Sequence, residues 1–282
     1  MKKLKKNKLL IFMLLLVFVV ILSGCSANYY NEPITANSTG FWDHYILYNF
    51  SQFILWLSQL ANGSYGWGII IFTIIIRIFL LPLNYYQTKT MRKQTALQPQ
   101  IQELQKKYPG KDMESRQLLS QEQQKLYKDA GVNPFASLLP MLIQLPVMFA
   151  LYQAIFKTTQ LRTGTFLWME LGKPDPYFVM AILAALFTFL STYINNLTQP
   201  VQNSMNKIMM FVMPVIIFIP ALSFASAITL YWVVTNAFQV VQTLFFQNPF
   251  KYRREQREKE EAKKAKEKAI RKAKKKAYKK RK

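Results

Sequence analysis

Four stretches, near residues 134–156, 177–194, 208–222 and 224–246, are apolar and carry almost no charge. A helix crossing a bilayer needs about 20 predominantly apolar residues, and nothing else in the chain constrains its fold as strongly. Hydrocarbon offers no hydrogen-bond partners, so such blocks are read as helices. The 282 residues are 51% hydrophobic, yet the formal net charge is +23 and the pI about 10.0. The two coexist because they are segregated: the charge lies at the N-terminus, in one central segment and in the tail. An ordinary soluble domain is excluded, and an all-α polytopic membrane protein is expected.

The first 25 residues, "MKKLKKNKLLIFMLLLVFVVILSGC", set five lysines before an unbroken apolar run from Leu9 to Leu22. That run is short for a span and fits a signal h-region. It ends in "LSGC", which resembles a bacterial lipobox, so residues 1–24 are expected to be removed and Cys25 lipidated. A retained signal anchor is the competing reading. Cys25 is the single cysteine and His44 the single histidine. An intrachain disulfide and any multi-cysteine metal site are therefore ruled out, and no metal or cofactor is expected. His44 reads as an interfacial polar residue.

Residues 25–64 read as an extracytoplasmic N-terminus ending in an aromatic, mixed-polarity helix, "FWDHYILYNFSQFILWLSQLANG", that lies in the outer interface. Residues 65–246 hold five predicted spans: 65–86, 134–156, 177–195, 207–222 and 224–246. A tight outer turn near residues 220–225 joins the last two. Residues 87–133 form a hydrophilic segment with nine Lys/Arg and five Asp/Glu. It divides at "YPGKD", a turn signal. Leu97, Ile101, Leu104 and Tyr108 before the turn share one helical face, and "MESRQLLSQEQQKLYKDAG" after it is rich in helix formers. The expectation is a helical hairpin at the membrane surface.

Orientation follows from charge. The 157–176 loop carries three Lys/Arg, against nine in 87–133 and eighteen in 247–282. Positive loops stay inside, so the hairpin and C-terminus are placed in the cytoplasm and the mature N-terminus outside. The basic tail, 247–282, suits either anionic lipid or RNA phosphate; both depend on the same electrostatics.

Polar residues within the predicted spans are few. Arg77 sits midway along "GIIIFTIIIRIFLLPL", and Thr73 lies one turn earlier on the same face. Gln144 stands between Pro140 and Pro146, Ser191 and Thr192 fall in the third span, and Trp232, Asn236 and Gln239 share a face of the fifth. A charge at the centre of a membrane helix is disfavoured by about 2.5–3.5 kcal/mol on insertion scales, so it usually faces protein or water. The spans contain no Asp or Glu to pair with Arg77, which argues against a proton relay or cation pathway. Snorkelling to an interface is the plain alternative; the sharper one is a hydrated, positive pocket lined by neutral hydrogen-bonders. For Gln144 and Trp232, simple helix packing competes.

Taken together, "LSGC", the first-span arginine, the charged hairpin, "NPFASLLPMLIQLPVMFALY" at 133–152 and "LYW" at 230–232 resemble the YidC/Oxa1/Alb3 membrane protein insertases, in their short Gram-positive lipoprotein form. The resemblance covers about residues 40–246. It implies five transmembrane helices around a hydrophilic groove, open to cytoplasm and lipid and closed outside. Arg77, Gln144 and Trp232 match groove positions, with Thr73, Ser191 and Asn236 as further lining. Ser191 falls near a position where family members often carry glutamine, so the polarity of that wall differs here. The implied partners are nascent membrane proteins and, through the tail, the ribosome; anionic lipid is the tail's other partner. Work alone or beside the Sec translocon is left open. The implied location is the bacterial cytoplasmic membrane, and the implied work makes and breaks no bond, so no enzyme or catalytic residue is expected. The competing function is a small-anion transporter or channel selective through Arg77, which the lack of an inverted repeat weakens.

Overall fold

A computed structural model describes residues 33–110, 112–134, 139–197 and 204–280. The signal segment 1–24 and the lipidation candidate Cys25 lie outside the described residues. The first helix, α1 (Trp42–Leu60), opens as a π-helical stretch, Trp42–Leu47, and continues as α-helix from Tyr48. Asn62 and Gly63 then turn left-handed, with φ of 55° and 80°, a conformation Gly and Asn adopt at low cost. The chain leaves this turn bent by 116° into α2 (Tyr65–Phe79). Such an angle suits a helix lying along a surface followed by one that plunges.

After Leu80 the chain continues as α3 (Leu81–Ala96), with a proline in its first turn, where a missing N–H costs little. The sequence reading ended the first span near residue 86 and began a loop at 87, whereas the structure stays helical to Ala96. Residues 87–96 contain neither Gly nor Pro and are mostly helix-tolerant types, so nothing stops the helix. The expected hairpin forms from α4 (Gln98–Lys107) and α5 (Met113–Asp129). Gly110 supplies the positive φ of 68° at the turn. The Asp112 carboxylate caps α5 by accepting from the Ser115 N–H at 2.5 Å, an N-cap worth about 1 kcal/mol. The face of Leu97, Ile101, Leu104 and Tyr108 is the sheltered one, with Ile101 buried.

The apolar helices follow: α6 (Leu139–Lys157), α8 (Val179–Leu197), α9 (Ser204–Ala221) and α10 (Ser226–Gln247). A short α7 (Thr159–Thr163) and a two-stranded antiparallel hairpin, β1 (Thr165–Phe166) with β2 (Met169–Glu170), lie between α6 and α8. The basic tail is one helix, α11 (Pro249–Lys280). Helix α8 packs on α9 and α10, while α2 packs on α1 and α10. Val179–Leu197 is the one helix among the described residues that alone is long and apolar enough to cross a membrane; Leu142–Lys157 and Lys207–Ala221 are apolar but shorter. Ile78, Phe79, Ile182, Phe211, Ile219 and Phe245 are exposed on these helices, an apolar exterior that water would not favour.

The 157–176 segment, read from sequence as a plain loop, is built into the core. Leu161, Phe166, Met169 and Leu171 are buried in one cluster with Ile69, Phe72, Leu151, Ile155 and Ile228. The Ser226 and Ala227 N–H groups donate to Lys173 and Leu171 carbonyls at 2.7 and 3.0 Å, tying the start of α10 to this segment. Asp175 caps the start of α8, accepting from Tyr177 N–H at 3.0 Å, Met180 N–H at 2.8 Å and Trp168 Nε1 at 2.9 Å. One end of the helix assembly is thereby stoppered with apolar side chains.

Candidate functional site

Arg77 lies in the last turn of α2 and is only 9% exposed. Its Nη2 donates to Gln144 Oε1 of α6 at 3.1 Å, and Gln144 Nε2 in turn donates to the Tyr231 hydroxyl of α10. A chain of polar groups thus crosses three helices. Gln144 orients its amide so that the carbonyl faces the cation and the N–H faces the phenol, a use that needs both ends of a carboxamide. Because α2, α6, α8, α9 and α10 contain no Asp or Glu, Arg77 is held by neutral dipoles and keeps its field unneutralised at close range. A buried arginine would ordinarily be paired with a carboxylate.

The other expected lining residues divide. Thr73 is fully buried, but its hydroxyl donates to the Ile69 carbonyl of its own helix at 2.7 Å, which leaves only acceptor capacity for a neighbour. Asn236 Nδ2 donates to Thr188 Oγ1 at 2.9 Å, joining α10 to α8. Thr188 and Thr192 each back-bond four residues earlier. Ser191 is half-buried, three residues beyond Thr188. Trp232 is half-buried against the core, its ring 5.3 Å from that of Phe224. The structure therefore brings Arg77 and Gln144 into contact and gives Asn236 an interhelical bond of its own. Trp232 is placed for packing.

Two polar groupings escaped the sequence reading. Tyr231 was noted only within "LYW", yet it completes the arginine chain. The second grouping anchors α1: Lys157 Nζ meets Asp43 Oδ2 at 2.9 Å, with side chains 3% and 17% exposed. Trp42 Nε1 donates to Gln153 Oε1 at 2.6 Å, and Thr158 Oγ1 to Ser51 Oγ at 2.9 Å. Position at the end of an apolar block was the one available signal for Lys157; its partner lies 114 residues away. Among the described residues no group of three or more His, Cys, Asp or Glu could hold a metal ion.

A mostly helical, apolar-surfaced assembly that holds a buried arginine without a carboxylate among the described residues has the character of a membrane protein. Its relatives specify more. Residues 56–255 match the family model described as 60Kd inner membrane protein, and the chain belongs to that family. A membrane protein insertase YidC from Pediococcus pentosaceus is 56% identical over 261 residues, covering 92% of this chain and 91% of that one. One from Enterococcus faecalis is 52% identical over 258 residues, again covering 92% and 91%. The solved structure of an active YidC insertase, with its first transmembrane domain resolved, superposes with a TM-score of 0.58 at 29% identity. It matches 73% of this chain and 47% of that longer one. The small-anion reading finds no support among these relatives.

Proposed function

We propose that this chain is a membrane protein insertase that accepts short hydrophilic segments of nascent membrane proteins and releases the attached apolar helices into lipid. The observation carrying this reading is the Arg77–Gln144–Tyr231 chain: a cation held inside an apolar assembly by neutral groups alone. In this proposal five helices cross the bilayer, formed by residues within 65–246, and surround a groove hydrated from the cytoplasm. Arg77, Gln144, Ser191 and Asn236 line it, with Thr73 buried one turn before Arg77 and Trp232 packed on Phe224. Water and Arg77 offset the desolvation of an incoming polar segment and attract its carboxylates. The membrane potential assists, since each negative charge gains about 2.3 kcal/mol per 100 mV on moving outward. The client's apolar helix then leaves sideways, favoured by about 25 cal/mol per Å² of apolar surface removed from water. No covalent step is needed.

The rest of the chain fits around that task. Residues 1–24 act as the signal, Cys25 carries the lipid, and 25–64 bring α1 to the outer surface. The 87–133 hairpin and the basic tail, 247–282, face the cytoplasm, where the tail meets ribosomal RNA or anionic lipid and the hairpin receives clients.

The test is reconstitution in liposomes with a membrane potential, presenting a single-span client with an acidic leading segment and scoring protease protection of that segment. Wild type is expected to protect it, and Arg77→Gln to protect it several-fold less, with a client of uncharged leader affected less. Insertion no better than in empty liposomes would overturn the insertase reading.

A further inference from the structure

Below Arg77, towards the end of α2 that leads into the hairpin, a second set of polar side chains has no role in the scheme above. Asn84 and Gln87 sit three residues apart on α3 and so share a face. On α10, Thr235, Gln239 and Gln242 recur at four- and three-residue spacing, again one face. Asn84 Nδ2 approaches Gln242 Oε1 at 3.4 Å, and Gln239 Nε2 approaches Thr243 Oγ1 at 3.3 Å; both contacts are long for a hydrogen bond. Gln87 is 5% exposed, and its Nε2 has no hydrogen-bond partner among the described residues. The Thr235 hydroxyl, also buried, is unpartnered in the same sense.

Helix α2 packs along α10, and α3 reaches it through side chains in the same chain direction: Asn84 at Gln242 and, further on, Arg92 Nη2 at the Phe246 carbonyl at 2.7 Å. Carried back along the helices, these two contacts set Arg77 at the level of the turn from Tyr231 to Thr235, in keeping with its link to Tyr231 through Gln144. A seam of neutral polar groups then runs from Arg77 to Gln87, about 15 Å at 1.5 Å per residue. Buried donors without partners are rare, and each calls for an explanation. These are carboxamides and hydroxyls without a net charge of their own, a poor fit to an ion. A carboxamide carries both an N–H donor and a carbonyl acceptor, the two kinds of group that a peptide unit also carries.

We infer that this seam is a main-chain reading station, in which the Gln87 carboxamide donates to backbone carbonyls of an extended client segment on its way to Arg77. The inference rests on the insertase reading and deepens it: Arg77 selects by charge, whereas the amide seam holds any sequence by its peptide groups. It gives a chain that must serve many clients a grip that no client side chain has to supply.

The test uses the full chain in liposomes with Gln87→Met, which keeps the side-chain volume and removes the donor. Insertion of acidic-led and uncharged-led clients is expected to fall equally, roughly two- to tenfold, the value of one hydrogen bond. The thermal midpoint is expected to hold or rise, because a buried orphan donor has gone. Gln87→Cys is expected to form disulfides with single cysteines at successive positions of a stalled client's leading segment. Unchanged insertion by Gln87→Met, with wild type active, overturns the station alone and leaves the seam to water or lipid. Absence of disulfides to the client overturns it too, including where Gln87→Met loses stability. Wild type no better than empty liposomes removes the insertase reading and this inference with it.

Discussion

Replacing Gln144 with leucine separates a wet arginine site from a dry one. The change removes two bonds at once: the acceptor 3.1 Å from Arg77 Nη2 and the donor to the Tyr231 hydroxyl. In a dry site the guanidinium loses a charge-assisted bond, about 1.5–3 kcal/mol, and the phenol a neutral one, about 1 kcal/mol. Their sum, roughly 3 kcal/mol, would be a large share of the stability of a typical domain. In a hydrated site a water takes Gln144's place at a cost of about 0–2 kcal/mol, and the net loss falls to about 1 kcal/mol or less. The proposed groove requires the second outcome. The assay is equilibrium unfolding of purified protein in mixed micelles titrated with SDS, with Tyr231→Phe as the control that removes only one end of the chain. A loss of about 3 kcal/mol for Gln144→Leu would make Arg77 a sealed structural group, and the hydrated-groove argument would fail.

Two stability predictions concern the flanks of the 157–176 segment. Lys157→Met leaves the Asp43 carboxylate beside an apolar neighbour in a site where the pair is 3% and 17% exposed. Breaking a buried pair costs about 3–5 kcal/mol, and Asp43's partial exposure puts the loss near the lower figure. Adding Asp43→Asn should recover part of it, and a strictly additive double mutant in the same unfolding assay would show that the pair does not couple. Asp175→Ala removes three acceptor bonds at the start of α8. A lost N-cap alone costs about 1 kcal/mol, so a loss of about 1–3 kcal/mol is expected; an unchanged midpoint would mean that water replaces the carboxylate.

What the sequence made legible was whatever depends on local pattern. Apolar blocks marked α6, α8, α9 and α10 to within a few residues, "YPGKD" marked the hairpin turn, and Arg77 stood out because nothing near it in sequence was charged. Gln144 was visible for the same reason. What stayed hidden depends on contacts between distant residues. Asp43 and Lys157 are both interfacial by position, but their pairing is a fact about how α1 lies against α6. Tyr231 enters the sequence analysis only within "LYW", since a tyrosine in an apolar run announces no partner. The 157–176 segment looked like a loop because its apolar residues follow no helical or alternating period. They are set by what they plug.

That plug bears on which function the polar groups can serve. Ile69, fully buried in the apolar cluster, precedes Arg77 by eight residues, about 12 Å along α2. Leu161, Phe166, Met169 and Leu171 of the 157–176 segment share that cluster with Ile69. Opening a continuous aqueous path would expose these four side chains at about 1.5–3 kcal/mol each, roughly 6–12 kcal/mol together, before any loss of the Ser226 and Ala227 backbone bonds that fasten the segment. A channel would meet that barrier at every opening. The proposed groove, ending blindly below the plug, need not meet it, because its cargo enters from the near side and leaves sideways into lipid. Gly66 reinforces the point: it lies flush against the Phe166 ring, where any side chain would collide, so plug and α2 are closely fitted there. An apolar plug at one end, with buried polar groups at Gln87 and Thr235 left unpartnered among the described residues, fits the proposed surface for receiving a chain better than a pore for passing an ion.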